Sequence, residues 1–464
     1  MGSTSISPDG DDSNSGLTRS DPLRTIHVAM YKMQAPNTIY LANGTYSSST
    51  TREYFPIEPI NNLSIIGESE SGVILAAGNH SPISVMKFIN IDHATISNLT
   101  LTGGNASDGG GVHCTNSSPT LTNVTITGNY AHGGSGGGLR CTNSSPILTN
   151  VTISGNGCSY SGGGICCLSS HPILNNVTIT GNSASTNGGG ISLHFSNPIL
   201  ENVTISGNRA GRSGGGVNIN RSSPALTNVT IIDNYAKENG SGIYCNDNSH
   251  PALINSILWN NSSEEVSLTS SWINIAYSNI DGGQDSIITD YATVYWDEGN
   301  IDADPLFVDS DNGNYSLQVG SPCIDAGTAW FVWEDDMLVN LSSDEYVGSA
   351  PDMGAHESSY TTVSVVKEHI IPESFGLLQN YPNPFNPTTT ISYELPEQAS
   401  VTLTVYDIRG QEVMRLQDTE KPPGNFQVLW NGLDQSGIPV STGVYFCRLT
   451  AGSYTQTIKM VYLR

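Results

Sequence analysis

"SSPILTNVTISGNGCSYSGGGICC", residues 144–167, contains a proline, asparagine-centred corners and a glycine triplet within two dozen positions. Between the corners, Leu148, Val151 and Ile153 alternate with Thr149, Thr152 and Ser154. That period of two is a strand signal, and no apolar stripe at i, i+3, i+4 competes with it. The pattern returns as "SSPTLTNVTITGNYAHGGSGGGLRC" before it, and after it as "SHPILNNVTITGNSASTNGGGISL", "SNPILENVTISGNRAGRSGGGVNI" and "SSPALTNVTIIDNYAKENGSGIYC". The prolines fall at 119, 146, 172, 198, 224 and 251, spaced by 27, 26, 26, 26 and 27. A fixed period of this size marks a solenoid.

Each repeat offers two or three short strands joined by Asn-Gly, Gly-Asn and triple-glycine corners, which permit the positive φ of sharp turns. The expected fold is all-β: a right-handed parallel β-helix with coils stacked ~4.8 Å apart. Stacking predicts columns of like residues. Asn123, Asn150, Asn176, Asn202 and Asn228 fall at one corner, and Asn129, Asn156, Asn182, Asn208 and Asn234 at another. A carboxamide both donates and accepts, so each column can bond along its length. The Asn-x-Thr glycosylation sequons read as a by-product of this corner-and-strand pattern.

Cys114, Cys141 and Cys167 each stand three residues after a glycine triplet, and Leu193, Ile219 and Cys245 occupy the equivalent place in later coils. Exchange with aliphatic residues favours small buried hydrophobes. Zinc would want spaced CxxC pairs or histidines, and a disulfide between neighbouring coils is geometrically awkward. Cys166 is expected to point outward as a solvent-facing thiol. The glycine triplets lack the aspartate of calcium-binding nonapeptides and the Lys-Ser/Thr of a phosphate loop.

The chain has 464 residues, which suggests two or three units. Its net charge of −25 is uneven. Residues 231–374 hold 24 acids against Lys237 and Lys367, whereas residues 109–230 hold Glu201 and four arginines. This excludes nucleic acid as an expected partner, since phosphate binding needs a basic face. No apolar run approaches the ~18–20 residues of a transmembrane helix. "MGSTSISPDGDDSNSG" shows no signal peptide, which leaves either a truncated or engineered mature form or a protein that stays inside the cell. Open solenoid ends need caps. In "DPLRTIHVAMYKM" a short capping helix, opened by Asp21 and Pro22, would place Leu23, Ile26, Val28 and Met30 on one side.

The opening residues resemble those of secreted bacterial β-helix proteins, and the repeats resemble the parallel β-helix superfamily, with some similarity to polymorphic outer-membrane protein repeats. "DADPLFVDSDNGNYSLQVGSPCIDAG" followed by "PDMGAHE" resembles an acidic module of the choice-of-anchor kind that closes such helices. Its Asp309, Asp311 and Asp325 are weak calcium candidates, with turn-forming aspartate as the plainer reading. "FGLLQNYPNPFNPTTTISYELP", "VTLTVYDIRGQEV", "NFQVLWNGLDQSGIPVSTGVYFCRL" and "TIKMVYLR" together resemble the C-terminal sorting domain of type IX secretion substrates. They read as a small antiparallel β-sandwich with turns at Arg409-Gly410 and Ser436-Gly437. The resemblance implies an export signal in Tyr381, Pro382, Asn383, Pro384, Phe385, Asn386 and Pro387, with Lys459 and Met460 on the last strand. It further implies outer-membrane type IX machinery as partner, a location outside a Gram-negative cell or on its outer surface, and, since such export first needs a signal peptide, a trimmed N-terminus. The expected divisions are 1–60 (cap and first coil), 61–300 (β-helix), 301–358 (closing module), 359–374 (linker) and 375–464 (sorting sandwich).

On function, the β-helix fold alone implies only an analogy with polysaccharide-degrading enzymes. A lyase needs an arginine or lysine base beside calcium-binding carboxylates, and a hydrolase needs two carboxylates ~5–10 Å apart. The pairs Asp11-Asp12, Glu264-Glu265 and Asp335-Asp336 lie in irregular regions. The outward column His113, Arg140, Cys166, Ser192, Asn218 and Tyr244 forms no catalytic constellation, which leaves His113 or His194 as an isolated candidate base. The favoured expectation is a non-enzymatic adhesin or polysaccharide-binding protein without a required cofactor. Its candidate binding residues are His113, Arg140, Tyr244, Trp272 and Trp296. The late aromatics Trp259, Trp272, Tyr277, Tyr291, Tyr295 and Trp296 would either stack on sugars or pack the irregular coils. The alternative is a polysaccharide lyase or glycoside hydrolase.

Overall fold

The computed structural model describes residues 2–33, 37–78, 82–91, 93–333, 336–361, 374–421, 423–435 and 437–463. The chain forms two compact units, 1–362 and 363–464. Among the described residues, the first unit is a parallel β-helix whose ladders hold sixteen, nine and six strands. Thr120–Thr127 pairs in parallel with Thr95–Thr102 on one side and Ile147–Ser154 on the other. The register is the one the repeat demands: Leu121 beside Leu148, Val124 beside Val151, Ile126 beside Ile153.

Each long strand bends at its asparagine. Asn123, Asn150 and Asn176 have φ of 52°, 54° and 53°, a left-handed conformation that asparagine tolerates better than most residues. The bend directs Leu121 and then Val124 and Ile126 to the interior, where all three are buried. After the next corner come a two-residue strand, the glycine triplet and a four-residue strand such as Leu139–Thr142. The glycines are there because coils meet: a Cβ on Gly163 would lie 2.5 Å from Gly189 O of the next coil. Cys114, Cys141 and Cys167 stack inward and are buried.

Both asparagine columns form. At the strand bend, the Asn150 amide donates to Asn123 at 3.0 Å and that of Asn176 to Asn150 at 2.7 Å. The second column is buried and doubly bonded. Oδ1 of Asn182 accepts both the backbone N–H and the side-chain N–H of Asn156, at 2.9 and 3.0 Å. The run continues through Asn208, Asn234 and Asn261, whose amide meets the buried Glu265 in place of another asparagine.

Two expectations need correction. The capping helix spans Ile26–Lys32, with Thr25 as N-cap, rather than opening at Asp21 and Pro22. The buried Glu53 carboxylate holds its first turn, accepting from Ile26 N at 2.6 Å and contacting His27 Nδ1 at 2.6 Å. Ahead of it, Gly2–Ile6 adds a strand to Asn37–Leu41, and Leu23 bridges to Ile6. Cys166 is also not solvent-facing. It points outward, but the Gly162 turn lies against it and Arg140 Nη1 contacts its sulfur at 2.8 Å, leaving 6% exposed.

Residues 301–333 and 336–361 run back along the flank of the solenoid. Leu317, Cys323, Ile324 and Met353 cluster with Ile257, and Val339 with Ile254 and Ala276. Asn255 clasps Thr328 through both polar atoms of its carboxamide, each at 2.8 Å, and Ala355 N donates to Thr230 Oγ1 at 3.0 Å.

The second unit is antiparallel. Thr389–Leu395 lies between Gly376–Leu377 and Gly424–Trp430 in one sheet. In the other, Ala399–Tyr406 pairs with Glu412–Lys421 and Gly443–Ala451, and Tyr454–Tyr462 is outermost. Val401, Leu403, Ile391, Cys447 and Met460 are buried between them, with Phe385 against Trp430 and Tyr462 at 5.4 and 5.1 Å. Gly410 and Gly437 turn with φ of 77° and 74°. Most of the expected linker, together with Asp335 and Ser436, lies outside the described residues.

Candidate functional site

The outer face of the long strands carries two columns before the asparagine bend. Ile147, Ile173 and Ile199 form the first and are 42%, 40% and 50% exposed, an unusual amount of aliphatic surface for three stacked residues. Thr149, Asn175 and Glu201 form the second, two residues on and therefore on the same face. Asn175 Nδ2 donates to Glu201 Oε2 at 3.2 Å.

Beyond the bend, the flanking segment rises as a wall. His356 Nε2 meets Thr204 Oγ1 at 3.3 Å, and Ala355 is held on Thr230. Floor and wall enclose a groove of about 570 Å³. The floor consists of the amide column with Asn175 and Glu201, and the wall contributes Glu345, Tyr346, His356 and Glu357. Glu357 is partly structural, since its carboxylate accepts from Val347 N at 2.8 Å and Asp352 N at 3.0 Å. Burial raises the pKa of Glu357 and lowers that of His356, which favours the uncharged form of each. The arrangement offers a row of amide donors and acceptors, carboxylate acceptors and an adjoining apolar strip.

The residues singled out from sequence lie elsewhere and are dispersed. His113, Arg140 and Tyr244 share one outward column of the nine-stranded ladder. Burial lowers the pKa of His113, Arg140 is engaged with Cys166, and Tyr244 is partly buried. Trp272 stacks on His250 with 14° between the rings, and Trp296 packs against the solenoid core. Trp259 and Tyr277 pack against the flanking segment. Asp325 accepts from Ser349 N at 2.9 Å, while Asp309 accepts from Asn312 in a separate turn shared with Asp311. Among the described residues, no three His, Cys, Asp or Glu side chains are placed to hold a metal ion. Sequence reasoning missed the groove. Its one available signal was Glu201, the single acid between residues 109 and 230.

The residues that the resemblance named for an export signal lie together in the second unit. The segment Tyr381–Pro387 runs beside the last strand, and Phe385 exchanges backbone bonds with Val461 O at 3.0 Å and Leu463 N at 2.9 Å. Asn383 bonds to the backbone of Lys459 and Val461, while Met460 is buried beneath. Tyr381, Pro382, Pro384, Asn386 and Pro387 are exposed.

Residues 8–211 match a family model described as a protein of unknown function (DUF1565), and residues 383–455 match the FlgD Ig-like domain. No curated protein matches the chain. Among solved structures, the chain is similar to PorZ, a surface component of the type IX secretion system of Porphyromonas gingivalis, at 20% identity and a TM-score of 0.15. That match covers 23% of this chain and 13% of PorZ, so the chain spans only a small part of that protein's length. It is also similar to a rhamnogalacturonan lyase at 11% identity and TM-score 0.29, covering 68% of this chain and 95% of that one. A third is tailspike protein gp49 of Acinetobacter baumannii bacteriophage Fri1, a capsular polysaccharide depolymerase, at 11% and 0.30, covering 99% and 78%. Among the described residues, no helix is long and apolar enough to cross a membrane.

Proposed function

We propose that the chain is a secreted or surface-displayed β-helix that holds a polysaccharide in the groove beside Asn175 and Glu201. The observation that carries this reading is the pairing of an amide-and-carboxylate floor with an exposed isoleucine column on one flat face. Sugars present hydroxyls at their edges and C–H groups on their faces. Such a surface can hydrogen-bond the former and bury the latter. The second unit serves export by the type IX route as a sorting domain, with the proline-rich segment and last strand as its signal. The acidic module at 301–358 builds the groove's wall. The test is retention on a panel of polysaccharides, with Asn175→Ala and Glu201→Gln weakening retention about tenfold while thermal unfolding stays unchanged. Equal retention by wild type and both variants would remove the groove from the function.

A second reading, cleavage of the bound polymer, draws on Glu201, Glu345 and Glu357 lining the same groove. It requires two of these carboxylates to flank one bond. New reducing ends or unsaturated products from the retained polymer would establish it, and their absence after prolonged incubation would leave binding alone.

A further inference from the structure

We infer that the groove selects an uncharged polysaccharide over a uronate-rich or sulfated one. This deepens the binding reading and rests on it.

Recognition of a carboxylate or sulfate on a sugar ring calls for a cation, most effectively the two-pronged guanidinium of arginine. Among the described residues, the groove lining contains Glu201, Glu345 and Glu357 and neither lysine nor arginine. Its one other titratable cation candidate, His356, is held toward the neutral form by burial. Three of the four arginines at 109–230 are engaged away from the groove lining, and the fourth, Arg212, is exposed and does not line the groove. Arg140 lies in the nine-stranded ladder against Cys166, and Arg209 stacks over Tyr235 at 4.1 Å. Arg221 sits at the corner that precedes the long strand, 3.9 Å from Asp247 and over Phe195.

An anionic polymer would therefore meet like charge at Glu201 and Glu345, without compensation and within a few ångströms, on a chain already at −25. A polymer bearing only hydroxyl or acetamido groups meets the opposite situation. Its O–H and N–H groups donate to Glu201 Oε1 and Oε2, its oxygens accept from the carboxamides of Asn175 and Asn176, and its ring faces lie on Ile173 and Ile199.

The test uses the full chain in affinity electrophoresis through gels carrying a neutral glucan, xylan or mannan, a polyuronate or a sulfated galactan, at low and at physiological salt. The expected result is retardation by at least one neutral polymer and none by the anionic ones, even at low salt. Glu201→Gln should weaken retardation about tenfold, and Glu201→Lys should begin to retard the protein in polyuronate. Wild-type retardation by polyuronate or sulfated galactan that Glu201→Lys leaves unchanged or weakens would overturn the inference while leaving polysaccharide binding intact. Retardation by no polymer of either kind would overturn the binding reading itself, and this inference with it. The wild-type comparison needs no variant to fold.

Discussion

The carboxamide of Asn383 occupies a slot on the last strand of the second unit: its Oδ1 accepts Val461 N–H at 2.8 Å, while its Nδ2 donates to the carbonyl of Lys459 at 3.1 Å. A side chain thus makes the two bonds that a neighbouring strand residue would make. The flanking prolines have no N–H to offer the ladder, so an ordinary strand is excluded there and the asparagine supplies the pairing. Gln379 adds a bond to the same Lys459 carbonyl at 2.9 Å. The stretch therefore shields an edge strand that would otherwise be open to another chain.

Asn383→Ala should uncover this edge. The expected cost is about 1–2 kcal/mol in the unfolding of the second unit, from two lost bonds at a partly exposed site. Denaturant unfolding followed at Trp430 measures it, and size-exclusion chromatography should show new self-association. Asn383→Asp should behave nearly as badly, because a carboxylate cannot donate to Lys459 O. Wild-type stability in both variants would mean that the amide only decorates the edge.

The solenoid and its register were legible because a coil repeats its own environment. Once Pro119 and Pro146 are aligned, Leu121 must fall on Leu148 and Asn129 on Asn156, and the structure places them so. Legibility fails where contacts are made between segments far apart in sequence. Thr204 and Thr230 look like ordinary outward threonines, yet both are buried under residues 355–356. One trace existed: Ile232 stands where earlier coils have Thr127, Ser154, Thr180 and Ser206, and it is 2% exposed. Cys166 was misread for a related reason. Strand alternation gives a side chain's direction but not what the Gly162 turn lays over it. Glu201 stood out as a lone acid, but the wall opposite it comes from beyond residue 340, and no spacing rule connects the two.

Glycine-to-alanine changes should separate crowding from backbone strain. Gly163 and Gly181 lie in neighbouring coils. An alanine Cβ at Gly163 would sit 2.5 Å from Gly189 O, whereas at Gly181, with φ of 61°, it meets nothing within 4 Å. Gly181→Ala should cost about 1–2 kcal/mol from the left-handed conformation alone. Gly163→Ala should cost about 3 kcal/mol or more, since two backbones must part. Thermal melts of the two variants check the order, and a reversed order would sink the account of coil contact.

All eight cysteines are buried and none is in a disulfide. Burial pushes the Cys166 thiol up to about 11 and Cys158 up to about 12, so neither supplies much thiolate at neutral pH. Native protein at pH 8 should therefore resist a disulfide-exchange reagent, with all eight thiols reacting once urea unfolds the chain. Rapid labelling of one thiol, mapped by peptide mass to Cys166, would show that the Gly162 turn opens readily.

The last prediction concerns the end of the buried asparagine column. Asn261 donates its backbone N–H to Glu265 Oε1 at 2.9 Å and its side-chain N–H to Oε2. Those bonds favour the ionised carboxylate, but burial outweighs them and raises the pKa from 4.5 to about 7. The native state therefore binds more protons than the unfolded chain between those two values. This group's contribution to stability is complete below pH 4.5 and is lost as pH rises toward 7, by up to about 3 kcal/mol. Glu265→Gln has no proton to lose, so its stability curve should run flatter than wild type from pH 4.5 to 7. Other buried acids such as Asp352 and Glu357 titrate in both proteins, and the wild-type minus variant difference isolates Glu265. Urea unfolding at half-unit pH steps measures that difference. Parallel curves across the window would show that Glu265 ionises as freely in the folded protein as in water.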